Sequence, residues 1–161
     1  MFVWFGALAI AGVYVVFRDP AIDYRLIALG ALLPDPIDAL IRQGIGPAHS
    51  VVTAVIVLFA VMLATIGRRG LRRRALAIPI GIFAHLTLDG AWSTTGTFWW
   101  PLAGRVAKQR LPFVAHGVVV VALQELIGIG VGVWLYRTFR LSKPALRAQF
   151  VKTGRIHRDL R

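Results

Sequence analysis

Six side chains have the types and spacing that a metal site requires: Asp35, Asp38, His49, His85, Asp89 and His116. His85 and Asp89 are four residues apart, which places them on one face of a helix. Asp35 and Asp38 are three residues apart and are also neighbours on a helix. Imidazole nitrogens and carboxylate oxygens suit a divalent cation such as Zn²⁺, Mn²⁺ or Fe²⁺. We therefore expect a divalent metal held by Asp35, Asp38, His49, His85 and Asp89.

The two early acids also have an interpretation that needs no metal. In the segment LLPDPID, Asp35 resembles a helix N-cap, Pro36 the first helical residue and Asp38 the third-position acid of a capping box. Inside a membrane such a capped break is tolerated where it lines a cavity, so capping and metal binding are compatible. The sequence leaves two roles open for His116: it orients a metal ligand, or it is an ordinary histidine at the membrane interface.

The composition indicates which kind of protein must position these side chains. The chain has 161 residues, enough for one domain, and 57% of them are hydrophobic while only 16% are charged. This excludes an ordinary soluble globule and a disordered tail. There is no cysteine, which excludes disulfides and thiolate ligands. The net charge of +12 on so apolar a chain favours cationic loops at a membrane over nucleic-acid binding.

Apolar segments predict an all-α fold. They cover residues 2–17, 26–41, 51–66, 75–88 and 113–136, of which only the last reaches the length that crosses a bilayer unaided. We expect a polytopic bundle of about five transmembrane helices, with a broken second helix. The bundle domain would span residues 1–140, and residues 141–161 would form a basic cytoplasmic tail.

Basic residues predict the orientation of this bundle. Most Lys and Arg residues fall in the loops around residues 18–25 and 68–74 and in the tail, which lie on one side of a five-span arrangement. Cytoplasmic loops carry this excess, so the N-terminus should be outside and the C-terminus inside an inner membrane. Residues 145–151 of the tail fit an interfacial helix whose cations would attract anionic lipid, but the favoured interpretation of the tail is a solvated topology anchor.

The predicted topology brings the six candidate side chains to one level of the membrane, near its outer face. Ionisable residues in spans are costly, so this agreement favours a shared site. Asp19, Asp23 and Asp159 instead fall on the cytoplasmic side. Glu125 is expected to be a buried hydrogen-bonding partner and not a ligand. Trp92, Trp99 and Trp100 fit an interfacial aromatic belt.

The order of these motifs resembles a known family. The segments LLPDPID at 32–38, AHS at 48–50 and HLTLD at 85–89 are followed by Thr95-Gly96 and Trp100-Pro101-Leu102. This series is similar to the membrane-bound metal-dependent hydrolases typified by a LexA-regulated bacterial inner-membrane protein. The similarity covers roughly residues 28–112. Pro36 separates the two acids, and the family's His-Arg-Gly lead-in and its early histidine are absent here.

The resemblance and the predicted site together suggest a membrane-embedded metal-dependent hydrolase. Asp38 or His116 would act as general base, and Lys108 and Arg110 would bind an anionic headgroup or phosphate. The substrate would be an ester or phosphoester of a lipid or of a lipid-linked molecule. The alternative is a non-enzymatic scaffold or a small ion-translocating or proton-translocating subunit, whose polar residues form a string reaching Glu125. The glycine face over residues 128–132 could pack helices within or between chains.

Overall fold

The computed structural model describes residues 1–42, 46–102 and 117–157, and these residues form helices and turns without a strand. The all-α prediction is therefore confirmed for the described residues. The helices are α1 Phe2–Phe17, α2 Tyr24–Leu32, α3 Pro34–Arg42, α4 Val51–Ala64, α5 Arg69–Ala75, α6 Ala77–Leu88, α7 Thr95–Phe98, α8 Gly117–Thr138 and α9 Pro144–Thr153. Single 3₁₀ turns cover Pro47–His49 and Ala91–Ser93.

Helix α8 has the length and composition to cross a membrane. It has 22 residues, a mean hydropathy of 2.1 and a largely exposed surface. Among the described residues it alone meets this standard, and α1 and α4 are shorter apolar helices. The five-span arrangement therefore stays a prediction.

The segment predicted as the second span consists of two helices that meet at Leu33. Pro34 and Pro36 follow this break, and neither can donate a backbone hydrogen bond to the preceding turn, so α3 starts anew at Pro34. Helix α3 buries a charged side chain and exposes apolar ones, which is the reverse of a surface helix in a soluble protein. Asp38 is fully buried, whereas the side chains of Leu40 and Ile41 are exposed. Such an exposed alkyl face is suited to lipid.

Glycines let the central helices approach each other directly. A Cβ atom on Gly30 of α2 would collide with the carbonyl oxygen of Ile78 in α6, and one on Gly81 of α6 would collide with that of Ile27 in α2. No side chain therefore separates α2 from α6 at this crossing, which is the most extensive helix contact in the described part. The crossing fixes α6 against the end of α2, next to the candidate site.

Helix α8 packs against α1, and Glu125 lies at their contact. Its carboxylate accepts a hydrogen bond of 3.1 Å from the backbone N–H of Val3, in the first turn of α1. Three residues further, a Cβ on Gly128 would lie 2.6 Å from the backbone nitrogen of Trp4. Glu125 therefore satisfies an otherwise unpaired donor at a helix start, in keeping with the predicted structural role.

The described part of the basic tail packs against the bundle. Ile156 is buried in the core cluster that also contains Tyr24, Leu135 and Phe139. The backbone N–H of Tyr24 donates to the carbonyl oxygen of Gly154 at 2.9 Å. Asp23, expected in a wet loop, is fully buried beneath this contact.

Candidate metal centre

The candidate site begins with His85 in α6. Its Nδ1 lies 2.7 Å from the carbonyl oxygen of Ala31 in α2. A carbonyl can only accept, so the Nδ1 atom of His85 carries the hydrogen. The Nε2 atom therefore keeps its lone pair, as a metal-binding imidazole requires. Gly81, one turn before His85, allows this contact by bringing the two backbones together.

Asp38 orients the second imidazole. Its Oδ2 lies 2.6 Å from Nδ1 of His49, and His49 is almost completely buried. The same carboxylate accepts backbone hydrogen bonds from Gly46 at 2.7 Å and from Ala48 at 3.0 Å. Asp38 is thus held by three donors, and His49 donates from Nδ1 and presents the lone pair of Nε2. This is the carboxylate–histidine arrangement found behind metal ligands.

Three acceptor atoms converge on one point. Nε2 of His49 lies 3.2 Å from Nε2 of His85, and Oδ1 of Asp35 lies 3.3 Å from the former and 3.7 Å from the latter. The Asp35 Oδ1 atom is buried and accepts no hydrogen bond. A tetrahedral metal with bonds of about 2.0–2.1 Å separates its ligand atoms by roughly 3.3 Å. The spacing of these three atoms therefore matches that of metal ligands, and together they form the metal-binding group of the described residues.

A proton can occupy the same gap when no metal does. Burial lowers the pKa of His49, but the adjacent carboxylates of Asp35 and Asp38 outweigh this and raise the pKa to about 9. A proton on Nε2 would then lie between His49 and Asp35. The arrangement requires a positive charge between its ligand atoms, and a metal ion and a proton compete for that position.

Apolar and hydroxyl side chains fix the walls of the site. The ring of Phe5 in α1 packs on His85 with centroids 4.1 Å apart. Ser50, directly after His49, is fully buried and caps α4 by accepting from the N–H of Val52 at 3.1 Å. Its hydroxyl donates to the carbonyl oxygen of Trp100, which ties the His49 turn to the segment after α7.

The structure brings together three of the five expected ligands. Asp35, His49 and His85 share the site. Asp38 does not belong to this group and accepts a hydrogen bond from Nδ1 of His49. Asp89 caps the end of α6 and is half-buried; it is not part of the three-residue group, although its charge contributes to raising the pKa of His49. His116, Lys108 and Arg110, to which catalytic and substrate-binding roles were assigned, lie outside the described residues.

Two capping expectations differ from the structure. Asp35 lies within the first turn of α3 and not before it. Asp38 binds the turn before α4 and not the start of its own helix. The reason is that α3 begins at Pro34 and not at Pro36, which moves both acids two residues further into the helix, where Asp38 contacts His49.

Sequence reasoning missed the Ala31 carbonyl, the Phe5 ring and the Gly30–Gly81 crossing. A backbone carbonyl carries no signal in a sequence, and Phe5 is one apolar residue among many. The two glycines do carry a signal, because glycine in the middle of an apolar helix often marks a close helix contact.

Comparisons of the chain with protein-family models, with curated proteins and with solved structures find no match. The case for a function therefore depends on the geometry of the site.

Proposed function

We propose that this protein is a membrane-embedded, metal-dependent hydrolase that cleaves an ester or phosphoester of a lipid or lipid-linked substrate. One observation carries the proposal. The Nε2 atoms of His49 and His85 and the Oδ1 atom of Asp35 lie within 3.7 Å of one another, and the Nδ1 hydrogen bond of each imidazole fixes its orientation. Such an arrangement is costly unless a cation occupies it.

The donor set fits a catalytic cation better than a structural one. Two imidazoles and one carboxylate suit Zn²⁺, Mn²⁺ or Fe²⁺. Three protein ligands leave at least one coordination position for water or substrate, as in catalytic zinc sites. When bound, the metal would lower the pKa of its water and polarise the scissile bond.

The remaining residues have separate roles in this proposal. Asp38 orients His49 through the Nδ1 hydrogen bond and does not bind the metal itself. Since Asp38 is occupied by three donors, His116 remains the predicted general base that would accept the proton of the attacking water. Lys108 and Arg110 remain the predicted contacts to an anionic headgroup or phosphate.

The surroundings of the site support a lipid substrate. Ile37, Leu40 and Ile41 cover α3 with exposed alkyl side chains, although the buried face of the same helix carries Asp38. Trp92 and Trp99 are also exposed, and tryptophan favours the membrane–water interface. A substrate arriving from the lipid would therefore meet Asp35, the most exposed of the three ligands, first.

Metal analysis of the purified protein tests the proposal first. We expect about one divalent ion per chain in the wild type, and almost none after His85→Ala or Asp35→Ala, because two remaining ligands bind such ions weakly. Glu125→Gln is the matched control, since its carboxylate binds the start of α1 and should leave the metal content unchanged. Equal metal content in all four proteins would contradict the site.

A hydrolysis assay distinguishes an enzyme from a non-enzymatic protein that only binds metal. The wild type in lipid nanodiscs should release product from a panel of phospholipid esters and isoprenoid phosphates, and His85→Ala should lose this activity. A protein that binds metal but hydrolyses none of these substrates, and that conducts ions or protons in liposomes, would support the translocating alternative.

A further inference from the structure

An apolar groove runs between α1, α8 and α9, separate from the metal centre. Its volume is about 300 Å³, at the lower end of the range of roughly 300–1,000 Å³ for ligand pockets. Val3 and Ile10 of α1, Phe139 directly after α8 and Phe150 of α9 form part of its wall. None of the three metal ligands contributes to the lining.

Two glycines keep the groove open. Gly6 of α1 and Gly132 of α8 both line it, and a Cβ atom on either would meet nothing within 4 Å. Gly128, one turn earlier in α8, is different because its Cβ would lie 2.6 Å from the backbone nitrogen of Trp4. The helices therefore touch at Gly128 and leave space between them at Gly132.

Several cations are close in sequence to the residues that line one end of the groove. Helix α8 ends in a reversal at Arg140, with a φ of 52°, and the next residue, Leu141, lines the groove. Arg147 precedes Phe150 by three residues, so both lie on one face of α9. Arg137, Arg140, Lys143 and Arg147 are exposed, and none forms an ion pair with a carboxylate in the described part of the chain.

We infer that this groove binds an anionic phospholipid, with one acyl chain between α1 and α8 and the phosphate at Arg140, Lys143 and Arg147. An apolar slot with unpaired cations at one end is complementary to an amphiphile with a negative head. These cations also belong to the side predicted to be cytoplasmic, where anionic lipids attract basic segments. The inference depends on the proposed membrane placement but not on the metal or on hydrolysis.

Filling the groove tests the position of the acyl chain. Native mass spectrometry of protein released from phosphatidylglycerol nanodiscs should show one retained lipid per chain. Gly132→Leu should lower the lipid-bound fraction about tenfold, because the leucine side chain occupies the space of the acyl chain. Gly130→Leu is the matched control: it places the same side chain in open space on α8, away from the groove, and should retain the lipid.

Charge variants test the headgroup. The wild type should prefer phosphatidylglycerol over phosphatidylcholine with identical acyl chains, and the Lys143→Gln/Arg147→Gln double variant should reduce this preference by roughly fivefold or more. Lys152→Gln, a charge removed from another position of α9, should leave it nearly unchanged.

Three results would overturn the inference: equal lipid retention by Gly132→Leu and the wild type, no preference for the anionic lipid, or a second copy of the chain in place of the lipid. Metal content should be the same in the wild type and Gly132→Leu, so the result is independent of the metal centre.

Discussion

Two acidic side chains lie near opposite ends of α2, Asp23 fully buried and Asp35 with one buried carboxylate oxygen, and their charges are offset in different ways. At the start of the helix, Asp23 accepts from Nε of Arg25 at 3.1 Å and from its Nη2 at 3.0 Å. Nη2 of Arg74 adds a third contact at 3.3 Å. Arg25 also donates to the carbonyl oxygen of Val151, which joins this cluster to the end of α9. The chain's own cations thus neutralise this acid.

Beyond the other end of α2, Asp35 lies against two imidazoles, and the charge of the N-terminal ammonium also reaches it. Its nearest basic atoms are Nε2 of His49 and of His85, and no lysine or arginine of the described segments pairs with it. Both imidazoles already use their Nδ1 hydrogens elsewhere. A buried carboxylate oxygen that accepts no hydrogen bond is costly, so the two clusters differ in how far the chain itself offsets the negative charge. Arg25 and Arg74 neutralise Asp23 within the fold, whereas under the proposed function a bound cation would neutralise Asp35.

The largest effect should come from separating α2 from α6. In Gly81→Ala, the added methyl group collides with the carbonyl oxygen of Ile27 and would lie 2.8 Å from the backbone nitrogen of Ala31. The helices must move apart, which we expect to cost about 1–3 kcal/mol and to withdraw the Ala31 carbonyl from His85. Denaturant unfolding and metal analysis of the purified variant measure the two consequences.

Gly130→Ala provides the comparison, because its methyl group meets open space in the interior of α8. It should stabilise the helix by about 0.5–1 kcal/mol and keep the metal. Full metal content in Gly81→Ala would show that the His85 site does not require the close crossing.

The sequence predicts the surroundings of Asp35, beyond the end of α2, better than those of Asp23 at its start, for a physical reason. The apolar segments assign Asp35 and His85 to helices. Because burying charge in a membrane is costly, these side chains are expected to lie together in one site. Arg25, the partner of Asp23, also donates to the far end of α9, more than 120 residues away, and no local pattern predicts such docking. Likewise, the rotation of α6 that directs His85 toward Ala31 is determined by a helix crossing and not by spacing within one helix.

The second prediction compares the response of the two acids to metal. At a metal concentration of 100 times the dissociation constant, binding should stabilise the wild type by about 2.7 kcal/mol. Asp23→Asn should start from a lower stability, because Arg25 and Arg74 lose their charged partner, but gain the same increment. Asp35→Asn should gain little. Thermal unfolding with and without added metal measures this stabilisation. An equal gain in Asp23→Asn and Asp35→Asn would contradict the proposed difference between the two acids.

The third prediction concerns the carboxylate behind His49. Asp38→Asn keeps all three ligands but weakens the support of the imidazole, so metal affinity should fall by about 10–100-fold. Competition with a chromophoric chelator measures this change. Glu125→Gln is the control, since Glu125 also accepts a backbone hydrogen bond but at the start of α1. Complete loss of metal would instead make Asp38 a direct ligand, as the sequence alone suggested.

The smallest effect should arise at Asp23 and its arginine partners, and it should depend on pH. Burial raises the pKa of Asp23, but Arg25 and Arg74 outweigh this, so its pKa lies below the ordinary 3.8. A lowered pKa in the folded state adds stability above about pH 4, and this stability is lost as the pH falls through the folded pKa. Because Arg74 is half-exposed, Arg74→Gln should cost only about 0.5–1 kcal/mol at pH 7.

This cost of Arg74→Gln should shrink as the pH falls through the lowered pKa of Asp23, since the carboxylate then takes up a proton and no longer attracts the guanidinium. Denaturant unfolding at pH 7 and at a low pH that protonates Asp23 in the folded state measures the change. Arg68→Gln removes an exposed charge that pairs with no carboxylate in the described part of the chain, and it should have little effect at either pH. If Arg74→Gln cost the same at both values, packing and not charge would hold this end of α2, and the contrast with Asp35 would lose its electrostatic basis.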